Sequence, residues 1–252
     1  MREKIRFLIP VVIWSPLFWT AVPSAAPLLL QDSMQCLVQG QIEILNTKVK
    51  LRDGSPDFSG VAVWLTPMST IMHPGPPRVQ KRTLEQRDKR FVPHIMVVQV
   101  GTEVDFPNRD PFFHNVFSVY DGKPFDLGLY ANGESHPVRF NRPGISHIFC
   151  NIHPQMSAIV VTVETPYFAL SAPDGRYSIE NVPAGRYRLH LWHERSNEKQ
   201  LAAESRIVSV ESALSQLEVI RLDEAGYIPA AHKNKYGQDY EDDSSLPSYR
   251  RP

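Results

Sequence analysis

Three side chains that bind soft metal ions stand close together in the segment Phe149-Cys150-Asn151-Ile152-His153-Pro154-Gln155-Met156. A thiol, an imidazole and a thioether at the spacing Cys-x-x-His-x-x-Met lie between two apolar runs, which predicts a short loop between two strands. Soft ligands of this kind select copper over hard cations. Because a trigonal copper site needs two His and one Cys in a plane with a weak axial Met, a second imidazole must come from elsewhere in the chain.

We choose His114, within Asp110-Pro111-Phe112-Phe113-His114-Asn115-Val116, as that second imidazole. It would come from a strand beside the one that ends at Cys150. We expect the side-chain amide of Asn115 to hydrogen-bond to the loop that carries Cys150, His153 and Met156, here called the ligand loop, and to hold it in place. Residues that contact the ligands without touching the metal have this role in other metal sites. A lone His is usually solvated and a lone buried Cys usually just packs, so the prediction depends on the combination.

The rest of the chain predicts an all-β fold, because short β-branched and aromatic runs alternate with Gly and Pro turn signals. Two early strands are predicted at 37–45 and 60–67. The strands predicted in the middle of the chain are 95–100, 102–106, 114–119, 137–140, 146–150 and 158–164. The later ones are 167–171, 176–180, 186–193, 205–211 and 217–222. No long helical period follows the leader.

The first 26 residues are interpreted as a signal peptide. Arg2, Lys4 and Arg6 precede an apolar run that is followed by Ser24-Ala25-Ala26. An uncleaved anchor is the alternative, although Pro10 and Pro16 interrupt a run that is shorter than the ~20 residues of a spanning helix. We expect a periplasmic protein with no membrane span in the mature chain.

Two cysteines, Cys36 and Cys150, are present, so a disulfide is an alternative to the metal site in an exported protein. Cys36 lacks the small apolar residues that precede a lipoprotein cysteine. Without the leader the net charge is about −2, and no basic patch favours a nucleic-acid partner.

Residues 91–164 resemble the cupredoxin family, and we expect the cupredoxin domain to span residues 79–165. The resemblance is carried by Gly101-Thr102-Glu103-Val104-Asp105-Phe106-Pro107-Asn108, by His114-Asn115 and Pro143-Gly144, and by the ligand loop. The loop is most similar to that of amicyanin, and bacterial methylamine-utilisation proteins carry similar sequences. The resemblance implies a Greek-key β-sandwich and one mononuclear type 1 copper site with His114, Cys150, His153 and Met156 as ligands.

The flanking segments 37–78 and 166–222 resemble a carboxypeptidase regulatory-like β-sandwich. The residues concerned are Phe58-Ser59-Gly60-Val61-Ala62-Val63-Trp64, Ala172-Pro173-Asp174-Gly175-Arg176-Tyr177-Ser178-Ile179 and Val182-Pro183-Ala184-Gly185-Arg186-Tyr187. We expect the cupredoxin unit to be inserted into this second sandwich. A tandem arrangement, in which the early strands complete the cupredoxin unit, stays open. Residues 223–252 are polar and are expected to form a flexible tail.

The function expected from these features is one-electron transfer to a periplasmic redox protein or dehydrogenase through a transient complex. An enzyme is disfavoured, because the bridging histidine next to the copper cysteine in copper nitrite reductases is absent: Phe149 and Asn151 flank Cys150. A copper store, or an interaction module without an electron-transfer role, is the remaining alternative.

Overall fold

The computed structural model describes residues 34–69, 81–119, 121–228 and 232–240. The proposed signal peptide and the last part of the predicted tail therefore lie outside the described residues. The elements are β1 (Gln35–Leu45), β2 (Ala62–Pro67), β3 (Lys81–Thr83), β4 (Glu85–Arg87), β5 (Arg90–Val92), β6 (Ile95–Gln99), β7 (Glu103–Pro107), β8 (His114–Ser118), β9 (Phe125–Tyr130), β10 (Ser135–Arg139), β11 (Gly144–Phe149), β12 (Ser157–Val163), β13 (Phe168–Leu170), β14 (Arg176–Pro183), β15 (Gly185–Trp192), α1 (Glu198–Glu204), β16 (Arg206–Val210), β17 (Leu214–Gln216) and β18 (Ile220–Asp223). The predicted all-β class is confirmed.

The strands form four main sheets and one hairpin. A five-stranded sheet has the order β6-β12-β11-β8-β9, and a three-stranded sheet has the order β10-β7-β3. Of the two four-stranded sheets, one runs β13-β2-β15-β16, and the other runs β14-β1-β17 with β18 also paired to β1. The strands β4 and β5 form the hairpin.

Two hydrophobic cores fill the space between these sheets. The first joins early and late parts of the chain, and includes Ile42 of β1, Leu65 of β2, Ile179 of β14 and Leu189 of β15. The second is built from the middle of the chain, and includes Phe106 of β7, Val116 of β8 and Ile148 of β11. Cys150 and Met156 belong to this second core, so the ligand loop, residues 150–156, begins and ends in packed structure.

A third apolar layer lies on the other face of β12. Alternate side chains of a strand point to opposite faces, and here Ala158 and Val160 enter the second core while Ile159, Val161 and Val163 enter the third layer. Ala62 of β2 and Ile95 and Val97 of β6 complete that layer, and Trp64 and Trp192 are among the residues that pack against it. The continuous apolar run of β12 is thereby buried on both faces.

Most predicted strands are present within a few residues of their predicted bounds. The strands β3, β4, β5, β9 and β17 and the helix α1 were not predicted. These strands are short or lack a clear alternation of buried and exposed positions. No helix within the described residues has the length and apolar character needed to cross a membrane.

Candidate metal centre

Three strands position the predicted ligands. His114 is the first residue of β8, and Cys150 directly follows β11, which pairs with β8 through Phe149 and Phe117. Strands β11 and β12 are antiparallel neighbours, so the loop between them must turn back within a few residues. The backbone N–H of Cys150 donates to the carbonyl of Met156 at 3.2 Å, and the N–H of Met156 donates to the carbonyl of His153 at 3.0 Å. These bonds close the loop into a tight turn.

The structure brings together three donor atoms from His114, Cys150 and His153. The Nδ1 atoms of the two histidines are 3.1 Å apart. The sulfur of Cys150 is 3.8 Å from Nδ1 of His114 and 3.5 Å from Nδ1 of His153. The centre of this triangle is about 2 Å from each corner, which is close to the length of a metal–nitrogen or metal–sulfur bond. The donor set therefore fits a copper ion. Within the described ranges this is the one group of three such residues close enough to hold a metal.

Asp110 determines which nitrogen of His114 faces the centre. Its Oδ2 is 2.7 Å from Nε2 of His114, and both side chains are buried. A proton on Nε2 satisfies this contact and leaves the lone pair of Nδ1 directed at Cys150 and His153. Burial lowers the pKa of His114, in opposition to Asp110, and so favours the neutral ring that a metal requires.

The Asp110 carboxylate is itself held by the hairpin of β4 and β5. Its oxygens accept the backbone N–H groups of Asp88, at 2.7 Å, and Lys89, at 3.0 Å. Both of these turn residues have positive φ, 53° and 54°, as a two-residue hairpin turn requires. Burial raises the pKa of Asp110, but the hydrogen bonds from Lys89, His114 and Asp88 together hold it below its ordinary value.

The thiol of Cys150 lies in a mixed environment. Burial raises its pKa, while the backbone N–H groups of Asn115, Ile152 and His153 act in the opposite direction by hydrogen bonding to the sulfur. A metal ion would add a much larger stabilisation of the thiolate. Two backbone N–H groups of the loop and one of β8 thus point at the sulfur.

Asn115 contacts the neighbouring strand through its side chain. Its Nδ2 donates to Oδ1 of Asp126 at 2.8 Å and to the carbonyl of Gly128 at 2.9 Å, both on β9. The hydrogen bond from Asn115 toward Cys150 comes from its backbone N–H. The side chain therefore ties β8 to β9, and the backbone faces the sulfur.

Met156 is fully buried and packs in the same core as Cys150. It precedes β12 directly, at the end of the loop that carries Cys150 and His153. This position suits the axial thioether predicted from the sequence.

The outer edge of the centre is apolar. The ring of Phe112 lies 5.2 Å from that of His114 and 5.6 Å from that of His153. Phe113 is 57% exposed and Ile152 is 39% exposed, so the surface around the partly exposed His153 offers apolar contacts.

Sequence reasoning missed Asp110 and the residues that support it. Asn108 shapes the connecting loop, because its Oδ1 accepts the N–H of Asp110 and its Nδ2 donates to the carbonyl of Phe112. The only signal in the sequence is an aspartate four residues before the predicted ligand His114. The disulfide alternative is not observed: Cys36 and Cys150 are free and lie in different cores.

No protein-family model and no curated protein matches this chain. Matches were found among solved structures. The copper-containing nitrite reductase of Thermus scotoductus SA-01 is 26% identical over 40% of this chain and 26% of its own, with a TM-score of 0.33. A purple cupredoxin of Nitrosopumilus maritimus is 21% identical over 32% of this chain and 99% of its own, with a TM-score of 0.30. An oxidised point mutant of amicyanin is 20% identical over 32% of this chain and 81% of its own, with a TM-score of 0.31. The likeness to these three concerns at most two fifths of this chain, and it spans about a quarter of the nitrite reductase.

Proposed function

We propose that this chain is an exported type 1 copper protein that carries single electrons. The observation that carries the proposal is the triangle of His114 Nδ1, Cys150 Sγ and His153 Nδ1, with a buried Met156 on the same loop. Two imidazoles, one thiolate and a thioether bind copper in both oxidation states without a large change of geometry. Copper, when bound, supplies the one-electron couple.

The residues around the centre support rapid electron transfer. Asp110 holds His114 through a 2.7 Å contact, and the short loop holds Cys150 and His153, so little rearrangement accompanies a change of charge. The apolar edge formed by Phe112, Phe113 and Ile152 suits a weak, transient complex with a redox partner. We propose that this partner is a periplasmic redox protein or dehydrogenase, and that the chain itself has no catalytic activity.

We also propose the two-sandwich division, with residues 79–165 as the cupredoxin unit and residues 37–78 and 166–222 as a regulatory-like sandwich. The proposal is supported by the separate cores, since the first contains Leu65 and Leu189 and the second contains Phe106 and Ile148. Export and a periplasmic location are supported by the leader sequence of residues 1–26.

The proposal is tested by adding cupric ion to the purified mature protein and recording its visible spectrum. We expect an intense thiolate-to-copper charge-transfer band that disappears in Cys150→Ser and remains in Cys36→Ser, the matched control at the other buried cysteine. A wild type without this band would overturn the type 1 assignment.

Voltammetry then separates a carrier from a copper store. A carrier is expected to cycle reversibly with the copper retained, whereas a store is expected to release the ion when it is reduced. Loss of copper on reduction would therefore contradict the electron-transfer role and leave the metal site intact.

A further inference from the structure

The segment His232–Tyr240, here called the C-terminal clamp, lies directly on the ligand loop. The hydroxyl of Tyr240 donates to the backbone carbonyl of Cys150 at 2.7 Å. The backbone N–H of Lys235 donates to Oδ1 of Asn151 at 2.9 Å. Two consecutive loop residues, one of them a predicted copper ligand, are thus held by a segment more than 80 residues away in the sequence.

The clamp also reaches the strand pair that carries the other histidine. Nζ of Lys235 is 2.7 Å from Oδ2 of Asp126 on β9. The second oxygen of this carboxylate accepts the amide of Asn115, the residue after His114. Burial raises the pKa of Asp126, but hydrogen bonds from Lys235, Gly128 and Asn115 outweigh it, so this carboxyl is charged and able to pair with the lysine.

Contacts within the clamp hold its two ends side by side. Oδ1 of Asn234 accepts the N–H groups of Tyr236 and Gln238, which folds the segment back on itself. The hydroxyl of Tyr240 is then 3.1 Å from Nδ1 of His232. The ring of His232 stacks on Phe149 with the centroids 4.1 Å apart, and Phe149 is the last residue before Cys150.

We propose that the C-terminal clamp is a working part of the metal centre, with Tyr240 as a positioning residue that holds the Cys150 loop against the β8–β9 pair. With regard to copper, this inference rests on the proposed function. The clamp would slow the release of copper by restraining the loop that supplies Cys150, His153 and Met156. In the metal-free protein it would limit access of reagents to the Cys150 thiol.

The test compares Tyr240→Phe with Tyr236→Phe in the full chain. Both changes remove one phenolic hydroxyl from the clamp, but Tyr236 is 71% exposed and its ring lies beside Lys235 rather than on the ligand loop. We expect Tyr240→Phe to speed the transfer of copper to a chelator by about three- to tenfold, the range that corresponds to one hydrogen bond. Tyr236→Phe is expected to match the wild type.

A second measurement needs no metal. The apo proteins are treated with iodoacetamide, and peptide mass spectrometry follows Cys150 and Cys36 separately. We expect Tyr240→Phe to raise the alkylation rate of Cys150 by a similar factor and to leave Cys36, which is buried in the first core, unchanged. Faster alkylation of both cysteines would indicate general loosening of the fold and would overturn the specific role of Tyr240.

The two measurements distinguish the two proposals. If the wild type lacks the charge-transfer band but Tyr240→Phe still exposes Cys150, the copper function fails and the clamp on the loop stands. If the band is present and neither rate differs between Tyr240→Phe and Tyr236→Phe, the clamp is overturned and the copper function stands.

Discussion

At the scale of single residues, the orientation of one imidazole depends on a carboxylate that contacts Nε2, the ring nitrogen turned away from Cys150 and His153. Asp110 lies 2.7 Å from His114 and is fixed by two backbone N–H groups of the β4–β5 turn. Hydrogen-bond partners of this kind fix the orientation of the imidazole ring and its tautomer. At the proposed copper site, Asp110 would therefore act through His114.

We expect Asp110→Asn to weaken copper binding by about 10- to 100-fold. A carboxylate only accepts from Nε2–H of His114, whereas an amide can turn its own N–H toward that group and so no longer favours the tautomer that is protonated on Nε2. Competition with a chelator of known affinity measures this change. The control is Asp88→Asn, since the exposed side chain of Asp88 is adjacent but only its backbone N–H contacts Asp110. Equal affinities of the two variants would contradict this role of Asp110.

At the scale of elements, the connection between β15 and α1 buries a histidine. His193 is 1% exposed, its Nδ1 is 3.0 Å from Oγ of Ser196, and its Nε2 has no hydrogen-bond partner. Arg195 and Glu224 form an ion pair beside it, and Glu194 follows it in the chain. Burial, followed by the charge of Arg195, lowers the pKa of His193 to about 4.

This low pKa predicts a loss of stability on mild acidification. Below its ordinary pKa of 6.5, His193 takes up a proton in the unfolded chain but stays neutral in the folded protein until about pH 4. The unfolded state then binds more protons than the folded state. The contribution of His193 to the free energy of unfolding is therefore at its full value above pH 6.5, and it should fall by about 3 kcal/mol by pH 4.

Urea denaturation between pH 7 and pH 4 measures the effect. We expect His193→Gln to have a shallower decline than the wild type. Parallel profiles for His193→Gln and the wild type would show that His193 does not contribute to the acid sensitivity.

At the scale of the whole molecule, β12 connects two packed regions through its opposite faces. Val160 points into the core that holds Cys150 and Met156, while Ile159 points into the third layer with Ala62 of β2. Trp64 and Trp192 pack against the same layer. Loosening one face is therefore expected to affect the stability of the chain on both sides of the strand.

We expect Ile159→Ala to lower the free energy of unfolding by about 2–4 kcal/mol, because it leaves a cavity at a position that is 2% exposed. Urea denaturation followed by tryptophan fluorescence reports on this layer. The control is Ile207→Ala on β16, which is 44% exposed and should cost less than about 0.5 kcal/mol. Similar costs for the two variants would contradict the packing role of Ile159.

The all-β class and the position of the ligand loop could be predicted from the sequence because they depend on local signals. The apolar run of β12, the alternation along β1 and the spacing of Cys150, His153 and Met156 are each contained in a few consecutive residues. Local alternation and turn chemistry act at that range. The incomplete ligand set required a second imidazole, but by itself it did not select His114 among the histidines of the chain.

Only the tertiary structure could decide which distant residues complete the centre. Asp110 is held by the turn at Asp88 and Lys89, and Tyr240 reaches Cys150 across 90 positions of the chain. The segment 232–240 is polar and carries no periodic pattern, so its sequence predicted a flexible tail. Its contacts are hydrogen bonds to particular backbone groups, which exist only once the strands have brought those groups to one place.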